Sequence, residues 1–395
     1  MSPVLGGWWI VFVKEVRENL RDRRALGMAL LYGPLFGPVL FALLTTFIVG
    51  KQLDEAEKPL TLAVIGVEQA PNLVAFLRQQ GVKLKAPPAD PEAAIRAQTE
   101  AVVLSIPPGF GDDWLAGRPA RVELLLDESR QQSRATITRV RNTLERYSGQ
   151  IARLRLQLRG VDPQIAAPLL VAKRDFSTPQ SRGATLLAML PYFLILCAFL
   201  GGMYLAIDTT AGERERASLE PLLINPVKPT QIMAGKLAAT TLFALASVLS
   251  CVLAFKLGLP YIRTDELGFE LALSPQATLT IMLLLAPVAL LAAAVQTIIA
   301  SFARSFREAQ TYLQFLMIVP AIPSVLLLVN PIKPVAWMLA TPLLSQSLLI
   351  NQLARGEVLA PLDVALSVLG TLAASAVAAL VAVRLYRGER LALAV

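Results

Sequence analysis

The sequence predicts an α-helical polytopic membrane protein with six transmembrane helices and an α/β extracytoplasmic domain inserted between the first and second spans. Hydrophobic residues make up 55% of the 395-residue chain and charged residues 17%, whereas soluble domains carry roughly 25% charged residues. Six long stretches lack Asp, Glu, Lys and Arg altogether. A block of mixed polar composition separates the first of these stretches from the other five.

The residues before the first stretch have an amphipathic pattern. This pattern predicts a cytoplasmic elbow helix at 1–24 that lies in the membrane interface, with Trp and Phe on its apolar side. The apolar face comprises Trp9, Phe12, Val13, Val16 and Leu20. The charged face comprises Lys14, Glu15, Arg17, Glu18, Arg21 and Asp22.

Each uncharged stretch is long enough to be a transmembrane helix, since about 20 helical residues cross a hydrocarbon core of roughly 30 Å. The stretches are 25–49, 184–207, 237–255, 277–302, 309–329 and 364–383. The predicted domains after the elbow are the first transmembrane helix at 25–49, the extracytoplasmic domain at 50–183 and a five-helix remainder at 184–395. Residues 334–354 also lack charge but are rich in Ser, Gln and Asn, which predicts outer-leaflet helices that do not cross.

Lysine and arginine are concentrated on one side of this topology. They precede the first span, follow the second and fourth, and recur after the last, while the short loops opposite carry few. Because positive loops stay in the cytoplasm, we expect a multi-pass membrane protein with both termini cytoplasmic. The net charge of +8 is explained by these loops and does not indicate nucleic-acid binding.

The block between the first two spans alternates between extended and helical patterns. Strands are predicted at 60–67, 82–85, 101–106 and 121–127, and helices at 70–80, 91–99 and 131–159. The long third helix has one apolar stripe formed by Ile137, Val140, Leu144, Tyr147, Ile151, Leu154 and Leu158. Its many arginines are either a solvated face or a binding surface for an anionic partner, lipid head group or substrate.

The composition excludes several kinds of chemistry. The chain has no histidine and two cysteines, so Ser-His-Asp and Cys-His nucleophiles and imidazole metal sites are excluded, and no metal site is predicted. Cys197 and Cys251 lie in apolar runs and are interpreted as small hydrophobic residues. A Ser-Lys pair at Ser250 and Lys256 remains formally open, but the class of intramembrane enzymes is the least favoured.

The loop after the second span is the most informative segment. Residues 208–236 read DTTAGERERASLEPLLINPVKPTQIMAGK, with alternating charges, an apolar edge and a proline stop. A short charged helix of this kind on a membrane protein is typical of a docking surface, because apolar side chains can fill a groove while charges fix the register.

This loop resembles the signature loop of ABC type-2 exporter permeases, a charged ER-x-x-LE-x-L-L run followed by Pro and Gly-Lys. The N-terminal KEVRENLRDRRAL is similar to another segment of the same family. The motifs IPPGFGDDWLAG, VELLLDESRQQS and RDFSTPQSRGATLLAML resemble more narrowly the NatB-like sodium-efflux permease group. The resemblance covers essentially the whole chain.

The resemblance implies a permease subunit that pairs with a second copy of itself in the lipid bilayer and is driven by two copies of a separate ABC ATPase. The chain has no G-x-x-x-x-G-K-[ST] motif, so it holds no cofactor itself, and ATP and Mg would be bound by the partner ATPase. The implied ATPase-coupling residues are Glu213, Arg214, Glu215, Arg216, Leu219 and Glu220. The charged residues of the predicted elbow helix would flank them.

The sequence leaves the substrate open. A sodium path needs oxygen ligands, and the six uncharged stretches contain no carboxylate, which favours an amphipathic or lipid-like molecule, drug or peptide over sodium. The candidate pore-lining residues are Thr45, Thr46, Gln296, Thr297 and Gln314. The alternative to transport is an ATPase-driven mechanotransmitting scaffold whose outer domain binds an envelope partner.

Overall fold

The computed structural model describes residues 3–57, 59–129, 131–166, 169, 174, 187–216, 218, 227–261, 273–329, 332 and 334–393. The chain divides into two compact units. We call them the membrane unit, Met1–Gly50 with Phe176–Val395, and the sheet unit, Lys51–Asp175.

The membrane unit begins with helix α1 (Pro3–Arg21) and the short α2 (Arg23–Leu26). A π-helical segment, Gly27–Tyr32, leads into α3 (Gly33–Glu57). A transmembrane helix tolerates proline when neighbouring groups satisfy the freed backbone, and Pro38 lies inside α3. The predicted elbow thus corresponds to a helix of its own that ends before the first apolar stretch.

The sheet unit contains four strands, each within a predicted extended run. They are β1 (Thr61–Ile65), β2 (Lys83–Lys85), β3 (Val102–Ser105) and β4 (Glu123–Leu126). Their order is β2-β1-β3-β4; β1 is parallel to β2 and β3, and β4 is antiparallel to β3. The central strands read as continuous apolar runs because both faces are covered, and Leu62, Val103 and Leu104 are fully buried.

The described part of the sheet unit also contains four α-helices: α4 (Pro71–Gln79), α5 (Pro91–Arg96), α6 (Phe110–Leu115) and α7 (Gln131–Leu158). The stripe predicted on α7 is correct for its first part, where Ile137, Val140 and Tyr147 are buried. It is wrong at its end, where Leu154 and Leu158 are exposed. Helical spacing alone does not tell how far along a long helix the covering surface extends.

The membrane unit resumes with α8 (Leu190–Ile207), which continues through a π-helical segment, Asp208–Gly212, into a last turn, α9 (Glu213–Glu215). The remaining helices follow as α10 (Pro229–Gly258), α11 (Pro275–Phe302), α12 (Phe306–Leu316), α13 (Ala321–Val329), α14 (Ala336–Ala340), α15 (Leu344–Ala354) and α16 (Pro361–Leu393).

Six helical segments of the described chain are long and apolar enough to cross a membrane, which confirms the predicted number. They are Ala29–Phe47, Leu190–Glu215, Pro229–Tyr261, Pro275–Phe302, Phe306–Leu327 and Pro361–Tyr386. The second of these ends beyond the uncharged stretch from which it was predicted and includes acidic residues.

Glycines bring the central helices of the membrane unit close together. A Cβ at Gly201 of α8 would lie 2.3 Å from Ser247 Cβ of α10, and one at Gly202 would lie 3.0 Å from Thr240 Cγ2. Small residues allow such approach of membrane helices. The second candidate span is the most enclosed of the six, with 72% of an 18-residue apolar segment buried, against 17% for the corresponding segments of the fifth and sixth.

The stretch predicted not to cross forms the two short helices α14 and α15. At 1.5 Å per residue, 5 and 11 residues are too few for a hydrocarbon core of roughly 30 Å. Gln346 fixes α15 to α16, because its Nε2 donates to Ser367 Oγ at 3.0 Å and to Thr371 Oγ1 at 2.8 Å. Placement in the outer leaflet stays a prediction.

Candidate functional site

Helix α1 packs against α10 through a buried face with a helical spacing of four. This face consists of Val11, Glu15 and Asn19. The two backbones approach closely at Gly235, where a Cβ would lie 2.7 Å from Trp8 O and 2.7 Å from Val11 Cβ. Glu15, which the sequence placed on the charged face of α1, is therefore buried against α10.

The apolar face predicted for α1 is also only partly covered. Trp9 and Leu20 are each 53% exposed, whereas the carboxylate-bearing Glu15 is 2% exposed. The physical reason is that α10 supplies a buried cation, Lys236, near Glu15. Burial of a carboxylate is tolerated where an opposite charge compensates it.

The end of α8 is shaped by the π-helical segment Asp208–Gly212. Thr209, Thr210, Ala211 and Gly212 are buried, so the helix continues inside the protein. A π-helical turn is rare and is frequently found at functional sites. Glu213–Glu215 is thus the last turn of the second candidate span rather than the start of a separate helix, and its docking role stays a prediction.

Lys236 forms an ion pair with Glu213 in the interior of the membrane unit. Lys236 is 1% exposed and Glu213 is 6% exposed. The Lys236 ammonium donates to Glu213 Oε2 and to the backbone carbonyl of Thr209, the latter at 2.7 Å. It also lies 5.6 Å from the ring centroid of Tyr386 on α16. A charge pair in such surroundings is strongly destabilised if one partner is removed.

Glu15 adds a second buried carboxylate to this pair. Lys14, half exposed, contacts Glu15 Oε1 at 3.2 Å and Glu18 Oε2 at 3.4 Å. Burial raises the pKa of Glu15, while Lys236 and Lys14 act in the opposite direction and Glu213 adds to the rise. We call Glu15, Glu213, Lys236 and Tyr386 the helix-end cluster, and it joins α1, α9, α10 and α16.

The raised pKa of Glu15 predicts a pH-dependent effect of Glu15→Gln. A carboxyl whose folded pKa exceeds its unfolded value of about 4.5 stabilises the fold below that value and loses this contribution as pH rises through the folded pKa. Glu15→Gln has no carboxyl to ionise, so it does not lose this stability as the pH rises. The melting temperature of the variant minus that of the wild type should therefore increase from pH 4 to pH 7. Thermal unfolding of both proteins in lipid nanodiscs measures this. The exposed Glu18→Gln is the control, and parallel curves for all three proteins would contradict the assignment.

The other predicted coupling residues surround the cluster. Arg214 donates to the carbonyl of Ala303 at 2.7 Å, and Glu215 accepts from the backbone N–H of Phe306 at 2.7 Å. Both contacts fix the end of the second span to the turn between α11 and α12. Arg216 pairs with Asp208 at 2.8 Å. Leu219 and Glu220 lie outside the described residues, so their predicted role is untested.

The remaining elbow residues lie on the surface or at the edge of the cluster. Arg17, Glu18 and Arg21 are exposed, whereas Asp22 accepts a hydrogen bond of 2.9 Å from Tyr204 Oη of α8. Thus α1 and its following turn contact two candidate spans, α8 and α10, through polar groups as well as apolar ones.

The candidate pore-lining residues lie on three helices and differ in exposure. Thr45 is buried and Thr46 exposed on α3, and Gln314 is exposed on α12. Gln296 and Thr297 are buried on α11, where Gln296 Nε2 donates to Phe199 O at 2.6 Å and Thr297 Oγ1 to Ala293 O at 2.8 Å. Their pore role stays a prediction.

Sequence reasoning did not identify Lys236 as a member of the candidate site. Lys236 was counted among the cytoplasmic charges, because the predicted third stretch, 237–255, begins directly after it. The signal that could have revealed it is the position of Lys236 within a helix that begins at Pro229, before the apolar run. The statement that no carboxylate lies within the spans was also wrong, since the second candidate span contains Glu213.

These features define a multi-pass membrane protein whose helix ends meet in a buried ionic cluster beside an amphipathic N-terminal helix. The chain belongs to the ABC-2 family of transporters: the family model described as "ABC-2 family transporter protein" matches residues 33–385. It is 26% identical over 317 residues to the "ABC transporter permease protein NatB" of Bacillus subtilis (strain 168), covering 79% of this chain and 80% of that protein. It is thus an ABC-2 type permease of the NatB-like kind.

Proposed function

We propose that this chain is the membrane-spanning permease subunit of an ABC exporter, with two copies forming the translocation path and two copies of a separate ABC ATPase driving it. The ATPase would bind ATP and Mg. Family membership and the permease named above support this division of labour. The fifth and sixth candidate spans, only 17% buried in a single chain, leave apolar surface for a second copy and lipid.

The observation on which the proposal rests is the buried Lys236–Glu213 pair with Glu15 beside it. A force on α1 or on the end of the second span reaches α10 and α16 through this cluster. The charges cannot separate without leaving an ion unpaired in the interior, which costs several kcal/mol. The spans therefore move together with α1 and the end of the second span. Such joint movement is needed for an ATPase to drive a path through the membrane.

We place the helix-end cluster and both termini on the cytoplasmic side of a bacterial inner membrane, and the sheet unit on the opposite side. Exposed arginines flank the cluster on both surface elements, and such residues are retained in the cytoplasm. Arg17 and Arg21 belong to α1, and Arg216 follows α9.

The proposed substrate is amphipathic or lipid-like, a drug or a peptide, with sodium as the alternative. Glu213, a buried carboxylate of the second candidate span, is paired with Lys236, and this pairing weakens its attraction for a cation. ATPase activity of the reconstituted complex separates the two substrates. Stimulation by amphiphiles without dependence on sodium supports the first, and stimulation by sodium but not potassium at fixed ionic strength supports the second.

The coupling surface is tested by Glu215→Arg. The exposed Glu215 both carries a charge toward solvent and accepts from the Phe306 N–H. Glu215→Gln is the matched variant, because its amide oxygen keeps the hydrogen bond and only the charge is lost. We expect the amount of ATPase that co-purifies with Glu215→Arg to fall about fivefold or more. The decrease with Glu215→Gln should be smaller. Undiminished co-purification of both variants would contradict the assignment of this turn to the interface.

A further inference from the structure

The sheet unit contains an open groove between α6 and α7. Its volume is about 490 Å³, within the range of roughly 300–1,000 Å³ that small-molecule sites occupy. The lining is mostly apolar and includes Phe110, Trp114, Val122, Leu144 and Ile151. Tyr147, Ser148, Glu145 and Arg155 supply its polar groups.

One wall of the groove is a stack of three aromatic rings. The ring centroids of Phe110 and Trp114 are 5.6 Å apart with an interplanar angle of 19°, and those of Trp114 and Tyr147 are 5.8 Å apart at 11°. Such a wall holds a flat apolar group by stacking and by burial of its surface.

Arg155 provides a fixed positive charge at this wall. Its guanidinium carbon lies 4.7 Å from the centroid of the Trp114 ring. Its Nη2 donates to Trp114 O at 3.0 Å and its Nη1 to Arg118 O at 3.5 Å. A guanidinium has five N–H donors in a rigid fork, so these two bonds orient the group and leave donors for an anion.

The hydroxyl of Tyr147 gives the second, independent indication. Tyr147 is 8% exposed, and its Oη is buried without a hydrogen-bond partner among the described residues. Leaving a buried hydroxyl unpaired is costly, and such groups in native structures call for an explanation. Burial raises the pKa of Tyr147, with Arg155 acting in the opposite direction, so the group remains a donor at neutral pH.

We propose that this groove binds a small amphipathic anion whose flat apolar body lies along Phe110, Trp114 and Tyr147. Its carboxylate receives hydrogen bonds from Arg155, and Tyr147 Oη donates to an oxygen of the same ligand. Glu145, exposed on the groove edge, disfavours a second negative charge. The site goes beyond the proposed transport function and does not depend on the ATPase.

The test is direct binding to the full-length permease in lipid nanodiscs without ATPase. The probes are 1-naphthylacetate and its neutral analogue 1-naphthylacetamide, measured by equilibrium dialysis against empty nanodiscs. We expect Arg155→Gln to weaken naphthylacetate binding about tenfold or more, with a smaller effect on the acetamide. Arg153→Gln, on the exposed side of the same helix, is the matched control and should leave both affinities unchanged.

Tyr147→Phe separates a ligand role from a structural one. Removal of an unpaired buried hydroxyl should leave the melting temperature unchanged or raise it, while both probes bind several-fold more weakly. A hydroxyl with a purely structural role would lower the melting temperature instead. The proposal is overturned if the wild-type protein binds neither probe above empty nanodiscs, if Arg153→Gln weakens binding as much as Arg155→Gln, or if Tyr147→Phe leaves both affinities unchanged.

Discussion

Lys236→Met is expected to uncouple the permease from its ATPase and to destabilise the membrane unit. Removing the ammonium leaves Glu213 buried without its ion pair, and Thr209 O loses a donor. Breaking a buried pair from one side costs about 3–5 kcal/mol. Because the cluster joins four helices, we expect substrate-stimulated ATPase activity to fall by about tenfold or more, a coupling loss within the usual range of allosteric free energies.

The double variant Glu213→Gln with Lys236→Met distinguishes loss of coupling from loss of folding. The double variant removes the unpaired Glu213 charge, and Glu15 loses Lys236 but keeps Lys14 as its partner, so part of the thermal stability should return. Substrate stimulation should remain low, since the ion pair between the second span and α10 is then absent. Lys228→Met, an exposed residue just before α10, is the control for losing a positive charge. Wild-type stimulation in the stable double variant would show that the cluster is only a structural feature.

Gly370→Ala is expected to have the second largest effect, through the contact between α14 and α16. A Cβ at Gly370 would lie 2.4 Å from Ala340 O and 3.0 Å from Ala340 C and Cα. These are backbone atoms and cannot rotate away, so α14 must move, and the bonds from Gln346 to Ser367 and Thr371 are strained with it. Overpacking of this kind costs about 1–3 kcal/mol, and a broken buried bond adds about 1–3 kcal/mol.

Thermal unfolding in nanodiscs measures this cost, with Gly258→Ala as the matched variant. Among the described residues, no atom apart from Gly258's own neighbours along α10 lies within 4 Å of a Cβ at this position, and alanine is favoured over glycine in a helix by roughly 0.5–1 kcal/mol. We therefore expect opposite shifts: a lower melting temperature for Gly370→Ala and an equal or higher one for Gly258→Ala. Two equal shifts would mean that the approach of α14 to α16 does not constrain the fold.

Hydropathy predicted the six candidate spans well because a membrane helix must satisfy its backbone internally and present apolar side chains to lipid. The same reasoning set the boundaries at the nearest charge, and there it failed. Glu213 lies in the last turn of its span and Lys236 lies about two turns inside α10, and each is buried beside the opposite charge of the other. Two residues on different helices reveal such compensation only when the tertiary packing is known.

The sheet unit shows a similar division. Alternation and turn residues predicted the four strands, since continuous apolar runs between polar loops have few other solutions. The groove could not be predicted, because Trp114 and Arg155 lie on different helices and meet only after α6 and α7 pack together. The arginine-rich pattern of α7 indicated two alternatives, and only the position of Arg155 over the Trp114 ring singles out one arginine from the rest.

The close crossing of α1 and α10 at Gly235 fixes the N-terminal helix to a candidate span, unlike an amphipathic helix that binds lipid reversibly. An amphipathic anchor exchanges between lipid surface and water, and its occupancy depends on bilayer composition. Here α1 is tied to a span by close backbone contact and a buried carboxylate, so in the interfacial position predicted for it, leaving the bilayer surface would require breaking protein contacts. In that position its exposed Trp9 and Ile10 would report the depth of the third span, and a change in bilayer thickness would act on both helices together.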